Sequence, residues 1–212
     1  MADHFPDAGV QRLRAADYRR MRWRNAGGWT TEIACDPAAT GDGPPADFRW
    51  RVSIAEIERD GPFSPFPGVD RDLVLLAGSG MELDIDDAPP LRVDQRLQHL
   101  RFAGEQRVHC RLLAGPTRDF NVMVRRGAVA ADVAARPLTG SMLLFREPGV
   151  RWLVHVLDGH ANLQVEERTI EAGIGDSLIL EPTVAHARGV LSGAGELVLA
   201  KLIDASLPLP LP

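Results

Sequence analysis

Cysteine and tyrosine are scarce in this chain: among 212 residues there are two cysteines, Cys35 and Cys110, and one tyrosine. Both cysteines fall in strand-like segments. They read as small buried hydrophobes in a reducing compartment, not as a disulfide framework. No stretch approaches the roughly 18 apolar residues that a membrane-spanning helix requires. Residues 1–20 carry Asp3, Asp7 and Asp17 without an apolar run, which is unlike a signal peptide. Basic clusters are missing too. Lys and Arg number 24 against 29 Asp and Glu, a net charge of −5, and the arginines are spread along the chain. That balance argues against nucleic acid or an anionic membrane as partner. The expected location is the cytoplasm.

Helical periodicity is weak as well. "VQRLRAADYRRM" (10–21) is the best helix candidate, and its apolar face is thin. What is present is strand. "TTEIACD" (30–36), "DFRWRVSIAEI" (47–57), "RDLVLLAG" (71–78), "DFNVMVRR" (119–126), "WLVHVLDG" (152–159) and "GELVLAKLID" (195–204) are short, β-rich and bounded by Gly, Pro or Asp. With 20 Gly and 16 Pro for tight connections, the expected class is all-β.

Two pairs of segments suggest duplication. "GVDRDLVLLAG" (68–78) aligns with "GVRWLVHVLDG" (149–159) at an offset of 81, and "AGPTRDFNVMV" (114–124) with "AGELVLAKLID" (194–204) at 80. Strand, Gly turn, strand and then "GDSLIL" is the rhythm of a cupin half-barrel. "IGDSLILEPTVAH" (174–186) has the Gly-Asp, apolar run, Pro and His of a cupin second motif. The expected architecture is a bicupin, two cupin-like β half-barrels packed in one compact unit.

Several chemistries lack their residues. A transition-metal site needs about three converging ligands, and the His-x-His that should precede Gly78 or Gly159 is missing. His186 has no companions. His155 and His160 lie five apart, which on a regular strand means opposite faces. Ser53, Ser64 and Ser177 sit in no nucleophile elbow. "NAGG" is not followed by the Lys-Ser/Thr of a phosphate loop. No metal and no cofactor are expected.

What remains is a set of strands with one mixed polar face. Alternation puts Arg51 and Ser53 with Arg49, opposite Trp50, Val52 and Ile54. It puts Asp119, Asn121, Met123 and Arg125 opposite Phe120, Val122 and Val124, and Thr30 and Glu32 opposite Thr31 and Ile33. Such a face is either simply solvated, or it lines a barrel where arginines grip a carboxylate and opposite charges pair. Alternation alone does not separate the two.

"MRWRNAGGWTTEIA", "FRWRVSIAEIERDGPFSPFPGVDRDLVLLAGSGMELD" and "FAGEQRVHCRLLAGPTRDFNVMVRRG" together resemble the HutD/Ves family of bacterial bicupins over roughly residues 21–127. Beyond residue 140 the resemblance is only to the family's cupin shape. The family's loop reads Trp-x-Asn, three glycines, then a Thr two residues on. Trp23, Asn25, Gly27, Gly28 and Thr30 fit, and Ala26 replaces the first glycine. If that position requires φ > 0, Ala costs ~1 kcal/mol. The resemblance implies a metal-free bicupin with its pocket in the N-terminal half, associated with histidine utilisation. It implies a regulatory protein that binds a small carboxylate metabolite, formylglutamate- or urocanate-like.

The expected divisions are therefore an N-terminal half at 10–130 with the pocket, a scaffold half at 131–205 with an apolar-filled interior, and a tail at 206–212. The candidate ligand-binding residues are Trp23, Asn25, Gly27, Gly28, Thr30, Glu32, Arg51, Ser53, Asp119, Asn121 and Arg125, with no catalytic residue assigned. Phe63, Phe66 and Met123 are expected to pack, and Asp70 and Arg71 to pair with each other or to bind. A homodimer is compatible with this reading. The alternative is a metal-independent cupin enzyme, an isomerase or epimerase on a small acid, with Glu32, Asp119 or His109 as base. A carboxylate paired beside an arginine should have a depressed pKa and make a poor base.

Overall fold

The computed structural model describes residues 4–5, 9–38, 45–184 and 186–205. The expected tail at 206–212 lies outside them. The chain begins with β1 (His4–Phe5) and β2 (Val10–Leu13), a single 3-10 turn at Ala15–Asp17, then β3 (Arg19–Arg22). The helix expected over 10–21 does not form. Its thin apolar stripe cannot bury a helix, whereas two short strands can each join a sheet.

Two compact units result. One is Arg19–Arg126; the other joins the residues up to Tyr18 to those from Gly127 on. Residues 10–18, expected in the first half, pack with the second instead, because β2 pairs with β16 (Ser177–Leu180).

The Arg19–Arg126 unit adds β4 (Gly28–Asp36), β5 (Trp50–Ile57), β6 (Gly61–Pro62), β7 (Val69–Ala77), β8 (Met81–Ile85), β9 (Leu91–Val93), β10 (His99–Ala103), β11 (Val108–Leu112) and β12 (Thr117–Arg125). A six-stranded sheet runs β10-β7-β12-β5-β4-β3, and a four-stranded sheet runs β6-β11-β8-β9. Ile57, Leu73, Leu75, Met81, Leu83, Ile85, Val93, Phe102, Val108 and Cys110 form its main apolar core. Each such Val or Leu contributes about 1.5–3 kcal/mol on burial. A smaller cluster joins Phe48, Val69 and Met123.

The other unit contains β13 (Val129–Arg146), β14 (Val150–Val165), β15 (Arg168–Gly173), β16 and β17 (Ala187–Asp204). Its sheet runs β1-β2-β16-β14-β17-β13, with β15 on β14.

The duplication is visible in the register. β7 pairs with β12 and β14 with β17, and each pairing carries a bulge, at Leu76 and Leu157. Those two residues are 81 apart, so the first offset holds. Opposite them, Asp119 and Leu197 pair with Leu75 and Val156, which makes the second offset 78 instead of 80. A two-residue difference preserves side-chain parity, so the faces still correspond. The bulge at Leu157 also puts His155 and His160 on the same face, against simple alternation. His155 is buried and donates or accepts at Ser177 Oγ through Nδ1 (2.9 Å), while Tyr18 donates to the same oxygen (2.8 Å).

Where the first unit has Asp119 and Asn121, the second has Leu197 and Leu199, packed with Val154, Val156, Leu163 and Leu178 in one apolar core. The polar pair of the first unit is thus replaced by apolar core in the second.

Candidate functional site

The polar face of the six-stranded sheet is assembled by register. One row runs Arg19, Glu32, Ser53, Asn121 and Leu73 across β3, β4, β5, β12 and β7. The next runs Cys35, Arg51, Met123, Arg71 and Phe102. A third runs Thr30, Ala55, Asp119 and Leu75. Glu32, Arg51, Ser53, Arg71, Asp119 and Asn121 are all buried. The solvated reading therefore fails for the middle of this face: Glu32, Arg51, Arg71 and Asp119 lie inside the unit, among the Phe48–Val69–Met123 cluster and the larger core, while Arg19, Arg49 and Arg125 at its edges stay partly exposed.

Buried charges need partners. Glu32 has two: Arg51 Nε donates to Oε2 (2.8 Å) and Arg19 Nη2 to Oε1 (3.0 Å). Asn121 bridges the remaining pair, accepting from Arg71 Nη2 (3.3 Å) and donating to Asp119 Oδ1. An arginine only donates and an ionised carboxylate only accepts, so the amide's orientation is fixed from both sides. Asp119 Oδ2 and Arg71 Nε are buried without a hydrogen bond among the described residues.

Arg71 is the functional candidate that strand alternation did not single out. Its guanidinium carbon stands 4.9 Å from the Phe102 ring centroid, 5.2 Å from Phe63 and 5.7 Å from Phe66. Phe63 and Phe66 come from "GPFSPFPG" (61–68), whose three prolines hold the loop across this guanidinium. They pack, as expected, but they pack on a cation. Asp70 does not pair with Arg71; it takes Arg101 (3.4 Å) and Arg126 (2.7 Å) at the surface. The sequence signal for Arg71 is its place on β7, two residues before Leu73, on the same face as Asn121 and Met123.

Burial sets the proton affinities. It pushes the Asp119 carboxyl up to about 7, against the hydrogen bond from Asn121 and the charge of Arg71. The depressed value expected for a carboxylate near an arginine does not hold, because the guanidinium reaches it only through an amide. Burial likewise lowers Arg71 to about 10, opposed by Asp119 and assisted by Arg51. The thiols of Cys35 and Cys110 are raised to about 11 and about 12, chiefly by burial, so neither is a thiolate near neutral pH.

The loop residues divide. Trp23 packs on the larger core and donates from Nε1 to Thr30 Oγ1 (2.8 Å). Asn25 is exposed, and its Oδ1 accepts from the Gly27 amide (3.0 Å), closing the turn. The Gly27 carbonyl accepts from the amides of Glu58 and Arg59. A Cβ on Gly28 would lie 2.2 Å from the Glu56 carbonyl oxygen, so the close approach is to the neighbouring strand. Asn25, Gly27 and Gly28 thus build the turn, while Trp23 and Thr30 adjoin the interior. Ala26 does adopt positive φ, at 54°.

Arg125 departs from the expected site. Its guanidinium is taken by backbone carbonyls: Ala46 (2.7 Å), Phe48 (3.3 Å) and Pro67 (3.4 Å). It ties two loops together beside a partly open depression of about 150 Å³ lined by Phe48, Pro65, Phe66 and Val69. Among the described residues, no group of three or more His, Cys, Asp or Glu side chains is placed to hold a metal ion. No helix of the described residues is long and apolar enough to cross a membrane.

An antiparallel β unit with a charged interior, joined to a second whose interior is apolar, defines a bicupin with one candidate site. A cupin 2 conserved barrel domain protein from Leptotrichia buccalis shares the fold at a TM-score of 0.53 and 10% identity, covering 88% of this chain and 96% of its own. The chain belongs to the HutD family, whose sequence profile matches residues 15–199. It is 46% identical over 114 residues to an uncharacterized 21.2 kDa protein in the hutC 3' region of Pseudomonas putida, covering 54% of this chain and 57% of that one. It is 41% identical over 121 residues to protein Ves of Escherichia fergusonii, covering 55% and 60%. The chain thus spans about three fifths of the length of the curated relatives it matches. Among solved structures, a conserved protein of unknown function from Pseudomonas aeruginosa PAO1 superposes with a TM-score of 0.80 at 30% identity, over 92% of this chain and 97% of that one. HutD from Pseudomonas fluorescens SBW25 gives 0.77 at 30% identity, over 92% and 98%.

Proposed function

We propose that the Arg19–Arg126 unit binds a small carboxylate metabolite without a metal, and that the protein acts as a sensor or modulator in histidine or related amino-acid utilisation. The observation that carries this is Arg71: a buried guanidinium ringed by three phenylalanines, with Nε unpartnered among the described residues. Such a cation is costly unless an anion completes it. Across Met123, Arg51 hydrogen-bonds through Nε alone among the described residues, which leaves its terminal nitrogens for the same ligand. A planar guanidinium matches a carboxylate in two hydrogen bonds. One relative lends context: a protein of Pseudomonas putida that lies in a hutC 3' region.

A thermal-shift screen of formate, acetate, urocanate, formylglutamate, glutamate and histidine tests the reading. At least one acid should raise the melting temperature and be recovered unchanged. Arg71→Lys and Arg51→Lys, which keep the charge and lose the planar fork, should shrink that rise. If no small acid stabilises the protein, the reading is wrong.

A metal-independent isomerase or epimerase is the second reading, and one observation favours it. Asp119, raised to about 7, has the proton affinity of a general base near neutral pH. Conversion of the stabilising acid into another compound, lost in Asp119→Asn, would decide for it.

A further inference from the structure

Asp119 stands in a setting that suits the acid better than its anion. Its neighbours in register are Ala55 on β5 and Leu75 on β7, both apolar and buried. From the four-stranded sheet comes Cys110, whose Sγ donates to Met81 Sδ (3.6 Å). The charged and titratable groups facing it are Arg71 on β7, Arg51 on β5, Glu32 on β4, Arg19 on β3 and Cys110 on β11. Glu32 is engaged by both Arg51 and Arg19, and Arg71 reaches Asp119 only through Asn121. Arg71 is therefore the guanidinium left to Asp119. A ligand carboxylate placed between them sets two carboxylates against that one guanidinium, inside a medium where like charges cannot all ionise.

We propose that the site takes up its carboxylate ligand together with one proton, Asp119 binding as the carboxylic acid and donating from Oδ2–H to the ligand oxygen held by Arg71. This deepens the carboxylate reading and rests on it. The proton comes from solvent and ends on Oδ2; the ligand stays anionic and no covalent bond changes within it. The unpartnered Oδ2 and the unpartnered Arg71 Nε then each have a donor to offer the ligand carboxylate. An O–H donor to a carboxylate makes a short, strong hydrogen bond. A ligand that instead offered an N–H to Asp119 would require the ionised form, and its affinity would change with pH in the opposite direction.

The test is isothermal titration calorimetry of the full chain with acetate and with formate. Titrations run from mildly acid to mildly alkaline pH, in buffers of differing ionisation enthalpy. Both probes stay ionised across that range. Wild type should absorb close to one proton per ligand on the alkaline side and almost none on the acid side. Affinity should fall roughly tenfold per pH unit above about 7 and level off below it. Asp119→Asn, which imitates the protonated state, should bind with the wild type's acid-side affinity at every pH and absorb no proton. Wild-type binding that is independent of pH, or that strengthens as pH rises, overturns the proposal while leaving carboxylate binding intact. Proton uptake that persists in Asp119→Asn overturns it as well. Absence of binding by both probes at every pH is a different result: it removes the carboxylate reading itself, and this inference with it.

Discussion

Arg51 and Glu32 meet diagonally across a β-bulge. Arg51 lies opposite Cys35 in register and Glu32 opposite Ser53, with Ile33 as the extra residue between Glu32 and Ala34. The bulge turns Glu32 and Cys35, three apart, onto one face, and Arg51 Nε reaches Glu32 Oε2 at 2.8 Å. Glu32 also anchors Arg19, so one carboxylate accepts from two guanidiniums. Removing it as Glu32→Ala leaves a buried arginine unpaired and should cost about 3–5 kcal/mol. Urea denaturation at constant m-value measures this. Glu32→Ala combined with Arg51→Met should recover part of the loss; a double variant no more stable than the single one would show that the pair is not the cause.

Ala26 holds φ 54° at a position where an L side chain is disfavoured. Ala26→Gly should therefore stabilise the protein by about 0.5–1 kcal/mol despite the larger backbone entropy of glycine in the unfolded chain. Differential scanning calorimetry reads it as a higher melting temperature. A decrease would mean that the turn does not adopt this conformation in solution.

Asp119 links stability to pH. Its folded-state pKa of about 7 lies above the ordinary carboxylate value, so the folded state binds the proton more tightly than the unfolded one. The contribution to stability is full below the ordinary value of 3.8 and is lost as pH rises through about 7. Asp119→Asn removes that loss. Its stability relative to wild type should improve between pH 4 and pH 7 by a few kcal/mol, on the order of 1.4 kcal/mol for each pH unit crossed. Parallel pH–stability curves for the two proteins would contradict this.

Arg125 ties Ala46, Phe48 and Pro67 through backbone carbonyls. Arg125→Ala should lower stability by about 1–3 kcal/mol and speed proteolysis within 45–48 or 65–67, without changing carboxylate affinity. Loss of carboxylate binding in a folded Arg125→Ala protein would return this residue to the site.

Thr30 Oγ1 accepts the hydrogen bond of the Trp23 indole. Thr30→Val keeps the shape and strands the donor, at a cost of about 1–3 kcal/mol. A change in tryptophan emission, lost in a Trp23→Phe background, identifies the indole concerned.

Much of this is legible along the chain. Alternation places Arg51 with Ser53 and Asp119 with Asn121, and the register sets Ser53 opposite Asn121, with Arg51 and Asp119 in the rows on either side. The replacement of polar by apolar residues in "WLVHVLDG" and "ELVLAKLI" points to the filled core around Val154, Val156, Leu197 and Leu199. The loop string picks out Trp23 and Thr30, but does not tell that Asn25, Gly27 and Gly28 serve the turn. Arg71 stays between pairing and binding at the level of sequence, because its three aromatic neighbours come from two loop positions and from β10. Arg125 shares parity with Asn121, yet lies at the strand end, where loop carbonyls capture it.

The sequence by itself determined the all-β class, the duplication and the parity of every strand outside a bulge, because side-chain direction in a strand depends only on position along it. Tertiary structure alone decided what each charge meets. Bulges at Ile33, Leu76 and Leu157 reset parity locally. Whether a carboxylate is depressed by an arginine or raised by burial depends on what stands between them, and for Asp119 that is an amide and a wall of apolar side chains brought together from distant strands.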